Sequence, residues 1–392
     1  MSTAVPAAGA ADAGGKVSDA LARVEKDLAA LWASPDEGSG QAKVRAAMIN
    51  LVVVAPDGDP SALRVATDRF TESHPGRVFF VSLDMRAEPW ALRHEVSAAC
   101  RADGGQVVCS DRLELAFGSM VASRAQSLVA ALSLPEVPTV VECRPGAARA
   151  LIAALAPGAD RLVVDSGNTS WKGIGEILQL ARGKLGAGHG PGIADRQYLR
   201  EQGWRRLLAE AFDAAPAATR AIRRVEVTCT PGGTTGTGAP GNHPSTLLVA
   251  WLAARLGWQL ESADRARDAA GRPVQLARAE EERNDVGRGA IVSIRIDAEL
   301  DGAPMQVSVA RGETPWLVRW ETTGAQRRGG QHSLAREDEV RVLVEAVDSH
   351  AARGPGAASP GREAGATRSA TFDAVYAETA RVAQELAAML AA

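Results

Sequence analysis

Gly236-Thr-Gly-Ala-Pro-Gly241 is the stretch of this chain closest in form to a ligand-binding motif, a formal G-x-G-x-x-G of the kind that cradles a pyrophosphate. It follows an expected strand ending near Cys229 and precedes an expected helix from Ser245, and Glu261 stands about 20 residues beyond the last glycine. The register is wrong for the chemistry. Several residues separate the strand from Gly236, and Pro240 intrudes between the glycines. The Gly/Thr/Pro composition from Pro231 to Pro244 therefore reads as a long flexible loop, and it holds no lysine for a Walker-type phosphate site. His189 sits in Gly186-Ala-Gly-His-Gly-Pro-Gly192 with no placed carboxylate or nucleophile, so it reads as a surface residue rather than a general base. Asp165-Ser166-Gly167-Asn168 follows a strand, where α/β folds place ligands, yet these residue types equally cap the next helix, and that reading is preferred. Glu280-Glu281-Glu282, with Arg283 and Asp285, reads as a solvated surface because consecutive carboxylates on a strand point in different directions. Cys100, Cys109, Cys143 and Cys229 form no C-x-x-C pair and show no zinc spacing; all four read as buried reduced thiols, although a hairpin could bring Cys100 to Cys109. No metal and no cofactor is expected.

A different kind of signal lies at Asp195–Asp213, DRQYLREQGWRRLLAEAFD. Leu199, Trp204, Leu207, Leu208 and Phe212 fall near helical spacing, so the segment reads as one amphipathic helix with a core-facing stripe. Tyr198, Arg200 and Arg205 lie beside that stripe, placed to hold another element or another protein. Tryptophan and arginine are the side chains most enriched at interface hot spots, and this segment pairs Trp204 with both arginines. The segment resembles D-L-x-W-x-R-L-x-x-W-R-x-L-L-x-x-x-F-D of the glucose-6-phosphate dehydrogenase assembly (OpcA) family, with Asp195, Tyr198 (an aromatic where the family usually has Trp), Arg200, Trp204, Arg205 and Asp213 in matching places. Further matches are Asn50-Leu51-Val52-Val53, His74-Pro75 before Arg77-Val78, LPEVP at 134–138, DRLVVDS at 160–166 and STLLVAWLAARLGW from Ser245. Glu142-Cys143 departs from the family's Trp-Trp pair, so any contact made there differs in this chain.

The elements that must carry these residues are those of an α/β protein. A chain of 392 residues suggests two domains. Residues 1–15, rich in Ala and Gly, read as disordered. An N-terminal α/β domain is expected over 16–170. Val17, Leu21, Val24, Leu28 and Leu31 mark its first helix, and the apolar run from Met48 to Ala55 a strand covered on both faces. A helix to about Ser73 and the strand RVFFVSL complete a right-handed parallel unit. Leu92–Arg101 and Gln106–Phe117 read as an antiparallel hairpin, followed by a helix over 119–133 and strands at 139–143 and 161–165. A second α/β domain is expected over 171–353, with Asp301-Gly302 as a hairpin turn, then a flexible linker over 354–370 and an amphipathic C-terminal helix over 371–392. The fold expected is two layered α/β domains with mixed parallel and antiparallel sheets.

Net charge of −3 provides no positive field for nucleic acid or an anionic membrane. No apolar run approaches the roughly 20 residues of a membrane span, and the N-terminus lacks the basic start and apolar core of a signal peptide, so a cytoplasmic location is expected. The resemblance implies a non-enzyme that binds glucose-6-phosphate dehydrogenase, promotes its active oligomer and supports NADPH supply through the oxidative pentose phosphate pathway. The same six residues, Asp195 to Asp213, are the expected partner contact. Two alternatives stay open: a nucleotide- or sugar-phosphate-binding enzyme, and a regulatory module that senses a metabolite in its first domain.

Overall fold

The computed structural model describes residues 8–33, 43–45, 47–56, 61–103, 106–182, 191–213, 215–231, 244–314, 317–324, 328–334, 339–348 and 363–391. In chain order the elements are α1 (Ala8–Ala33), β1 (Lys43–Arg45), β2 (Ile49–Val54), α2 (Ser61–Ser73), β3 (Gly76–Leu83), β4 (Leu92–Asp103), β5 (Gln106–Phe117), α3 (Ala125–Leu132), β6 (Thr139–Cys143), α4 (Arg149–Leu155), β7 (Arg161–Val164), α5 (Trp171–Arg182) and β8 (Gly192–Asp195). There follow α6 (Arg196–Arg200), α7 (Gln202–Asp213), β9 (Ile222–Cys229), α8 (Pro244–Leu256), β10 (Gln259–Ser262), β11 (Arg265–Arg267), β12 (Pro273–Glu280), β13 (Ile291–Leu300), β14 (Ala303–Arg311), β15 (Leu317–Gly324), β16 (Arg328–Ser333), α9 (Glu339–Asp348) and α10 (Glu363–Ala391). The fold is α/β, with two eight-stranded sheets. The chain divides into two compact units. One holds Met1–Val164, Ile177–Ala194 and Glu339–Gly356; the other holds Asp165–Glu176, Asp195–Asp338 and Ala357–Ala392.

The first sheet runs β1-β5-β3-β2-β6-β7-β8, with β4 antiparallel on the other edge of β5. From β5 onward the order is that of the dinucleotide-binding α/β folds, 3-2-1-4-5-6, with β2 as the first strand and the switch point between β2 and β6. β2 is buried along its whole length, which is why it reads as an apolar run broken only by Asn50. Its parallel neighbour β3 starts at Gly76, where a Cβ would lie 2.1 Å from the carbonyl oxygen of Ile49; no other residue fits that approach. Trp32 at the end of α1 donates its Nε1–H to Asp111 of β5 at 2.9 Å, tying helix to sheet.

The helix α1 begins at Ala8, within the Ala- and Gly-rich segment; alanine is the strongest helix former. Two expectations for this unit are corrected. The expected helix over 119–133 is a short 3₁₀ turn, Ala122–Arg124, and then α3. The cysteines of the β4–β5 hairpin are not both free thiols. Cys100 and Cys109 are directly opposite in register and joined in a disulfide, with Cα atoms 4.1 Å apart. Cys143 and Cys229 are buried thiols, each pushed up to about 12 chiefly by that burial.

The second sheet runs β10-β11-β12-β9-β13-β14-β15-β16, mixed because β12 is parallel to β9 and the other pairs are antiparallel. Asp301 and Gly302 turn β13 into β14 with positive φ at both residues, 52° and 81°, as a two-residue hairpin requires. Alternate residues such as Val225, Ile296, Val307 and Thr322 are buried on one face, where α7 meets β14 and β15 and α8 meets β9. α8 ends at Leu256, with Gly257 at φ 66° supplying the left-handed cap. α10 begins at Glu363, taking in part of the expected linker, because Glu-Ala-Gly-Ala-Thr-Arg-Ser-Ala is mostly helix-compatible. Residues 351–362 lie outside the described residues. Tyr376, Ala380, Ala383 and Leu386 of α10 are fully buried, and the helix packs against α8. Among the described residues no helix is long and apolar enough to cross a membrane.

Candidate functional site

The segment Asp195–Asp213 is not one helix. Asp195 ends β8 and caps α6; the chain then turns at Glu201 before α7 resumes at Gln202. Gly203, a poor helix former, stands just past the turn where a Cβ would lie 2.5 Å from the side chain of Leu334. The turn lets Arg200 and Trp204 serve different neighbours.

Asp195 is fully buried, and its carboxylate is held on three sides. Oδ1 accepts from the backbone N–H of Ser166 and of Gln197, both at 3.0 Å; Oδ2 accepts from the Tyr376 hydroxyl at 2.9 Å. Burial pushes its carboxyl above the ordinary 3.8, opposed by the hydrogen bonds from Ser166. Asp165 accepts a two-pronged contact from Arg200, at 2.9 and 3.1 Å, and a further bond from the Asn168 amide at 3.0 Å. Burial pushes Asp165 up, but the Arg200 charge and its hydrogen bonds prevail, and the net shift is downward. Tyr198 packs edge-on against Tyr376, with ring centroids 5.4 Å apart, and the Arg205 guanidinium lies 3.5 Å from the Tyr198 ring centre. Trp204 lies under Arg311 of β14, 5.4 Å from its ring centre, beside a small cavity of about 90 Å³ that Arg200 and Arg288 also border.

Asp195, Tyr198, Trp204 and Arg205 are thus buried, Arg200 nearly so, and Asp213 alone of the six is exposed. What the first five hold is their own unit: α6 to the Asp165 turn and to α10. The exposed line of α7 is Gln202, Arg206, Ala209 and Asp213. Sequence reasoning passed over Gln202 and Arg206, although they are the helical complement of the apolar stripe it named.

The remaining candidates resolve separately. Asp165 to Asn168 do not cap α5; Ser170 does, its Oγ accepting from Gly173 N–H at 3.1 Å, because Asp165 is taken by Arg200. Glu280, Glu281 and Glu282 are exposed, and Arg283 pairs with Asp285 at 2.6 Å. Glu142 and Cys143 are both buried on β6, and Glu142 pairs with Arg144 at 2.9 Å, so the departure from the Trp-Trp pair lies in the interior. His189 and Gly236–Gly241 lie outside the described residues.

Among solved structures the chain is similar to an oxidoreductase from Sinorhizobium meliloti (12% identity, TM-score 0.45, covering 86% of this chain and 98% of that one). It is also similar to biliverdin reductase in complex with biliverdin and NADP+ from Synechocystis sp. PCC 6803 (13%, TM-score 0.38, 86% and 98%) and to levoglucosan dehydrogenase in complex with NADH and L-sorbose (11%, TM-score 0.40, 87% and 97%). At these scores nothing about function passes from them to this chain. No curated protein matches the sequence. Two family models do. The model for the N-terminal domain of the glucose-6-phosphate dehydrogenase subunit matches residues 67–182, and the model for its C-terminal domain matches residues 191–388, just over half the chain. The chain belongs to the glucose-6-phosphate dehydrogenase assembly (OpcA) family.

Proposed function

We propose that this protein is a non-catalytic assembly factor that binds glucose-6-phosphate dehydrogenase in the cytoplasm, favours its active oligomer and raises its rate, supporting NADPH supply by the oxidative pentose phosphate pathway. The observation that carries the reading is the match to both domains of the family, over 67–182 and 191–388. Local chemistry supports it. Asp165 and Asp195, the carboxylates best placed after strands to act as acid or base, are each engaged by groups of the same unit. The sequence after β2, where a dinucleotide fold needs three glycines, reads Ala-Pro-Asp-Gly-Asp-Pro over residues 55–60.

A helper of this kind binds the active arrangement of its partner more tightly than the inactive one, and that difference in affinity sets how far the equilibrium between them shifts. The contact is the exposed line Gln202, Arg206 and Asp213 of α7, held in place by buried Asp195, Tyr198, Arg200, Trp204 and Arg205. Steady-state titration of the protein into glucose-6-phosphate dehydrogenase from the same organism tests this, with Arg206→Glu and Asp213→Arg alongside. Saturable activation, weakened in both variants without loss of folding, is the expected result. Activation equal in all three proteins would move the contact elsewhere, and none at all would overturn the function.

A further inference from the structure

A cavity of about 820 Å³ opens at the carboxyl ends of β2, β3 and β5, within the first unit. Its cause is visible in the topology. A parallel α/β unit usually connects its second and third strands through a helix that covers the sheet; here the connection runs through β4, a strand added at the edge. One face of β3, β5 and β4 is thereby left open beyond α2. In register, Ser82, Ala116 and Arg93 form one row across these strands, and Phe80, Glu114 and Glu95 the next. Asp84 follows directly on β3, the second strand of the 3-2-1-4-5-6 order, and lines the same cavity. An acid at the end of the second strand is where this fold meets the hydroxyls of a ribose.

The charges say which ligand fits. Asp84 pairs with Arg93, Glu114 with Arg64 at 2.6 Å, and His94 hydrogen-bonds Asp27 at 2.8 Å. Arg86 and Glu95 add one charge of each sign, so the lining sets two arginines against three carboxylates and builds no clamp for a phosphate. The sequence between β2 and α2 has one glycine and two aspartates, unlike the glycine-rich sequence that binds a pyrophosphate. What remains is a neutral group with hydroxyls for Asp84 and a flat apolar part for the floor at Phe80 and Ala116. We propose that this cavity binds a ribonucleoside through its 2′,3′-diol at Asp84, without binding the phosphates of a dinucleotide. Asp84 Oδ1 accepts from the N–H of Arg86 at 2.9 Å and of Ala87 at 3.1 Å, which fixes the carboxylate. Arg93 covers Oδ2, and with a side chain 69% exposed it can swing away as a diol enters.

Calorimetric titration of the full chain tests this, with adenosine, 2′-deoxyadenosine, NADP+ and glucose as probes and with Ser82→Trp and Asp84→Asn as variants. Asp84→Asn keeps Oδ1 as the acceptor for both backbone groups and replaces the charged Oδ2 acceptor with an amide donor. The expected result is saturable adenosine binding at one site, weakened at least tenfold by Asp84→Asn and by loss of the 2′-hydroxyl, with NADP+ no tighter than adenosine. Ser82→Trp, which projects an indole into the cavity beside Asp84, abolishes it; should that variant not fold, Asp84→Asn and 2′-deoxyadenosine decide alone. Absence of adenosine binding by the wild type, binding indifferent to Asp84→Asn and to the missing hydroxyl, or tighter binding of glucose or NADP+ would each overturn the proposal.

Discussion

Asp195 and Asp84 both stand at the ends of strands in the same sheet order, and their surroundings give them opposite work. Asp195 is wholly buried, and every acceptor position it uses is filled by a group of its own chain, from the loop before α5, from α6 and from α10. Asp84 borders a cavity, and its cationic partner Arg93 is mostly in solvent. A carboxylate enclosed by donors of its own chain is a fastener. One whose counter-ion can leave is a receptor. The contrast separates a hub that fixes the shape of the second unit from a crevice in the first that is shaped for a ligand.

Breaking the hub has the largest expected effect. Trp204→Ala removes a buried indole beneath Arg311 and should destabilise the protein by ~3–5 kcal/mol, read as a fall in the denaturant midpoint with an unchanged slope. Tyr376→Phe leaves Asp195 Oδ2 without its hydroxyl donor and should cost ~1–3 kcal/mol by the same measurement. Asp84→Asn sharpens the contrast, because it loses only an ion pair to an exposed arginine and should cost at most ~1 kcal/mol.

The two buried aspartates of the hub also differ in sign. Asp165 is held below the ordinary 3.8, so its contribution is present above that value and is lost as pH falls through its folded value. Asp195 is raised above 3.8, so the protein loses stability as pH rises from 3.8 through the folded value. Melting temperature against pH should therefore move in opposite directions for Asp165→Asn and Asp195→Asn relative to wild type above that window, Asp165→Asn losing the stability that Asp165 contributes there. Parallel profiles would contradict the assignment. The smallest effect is on thiols: in the native protein Cys143 and Cys229 should stay unreactive at neutral pH, and denaturation without reductant should release two thiols, not four.

Parts of this were legible in the sequence for identifiable reasons. Ile49–Val54 reads as a doubly covered strand because nothing polar interrupts its apolar side chains except Asn50, and Asp301-Gly302 reads as a turn because both residues tolerate positive φ. β8, β10 and β11 escaped because three or four residues carry no period; only partners distant in sequence make them strands. The hub was half legible. The aromatic and basic residues of 195–213 stood out, but the group that closes on Asp195 is 181 residues away, and spacing within one segment cannot show it. Asp84 escaped because the formal glycine motif of the chain lies at Gly236–Gly241, far from it in sequence. The available signal was a strand–helix–strand unit ending in an aspartate, without the glycines that usually accompany it.

The most direct test of the central claim is the mass of a mixture. Light scattering on the protein with glucose-6-phosphate dehydrogenase from the same organism, with NADPH formation followed in the same sample, should show a heavier complex whose appearance tracks the gain in rate. Two species at their separate masses, with the dehydrogenase rate unchanged at saturating concentration, would contradict the account.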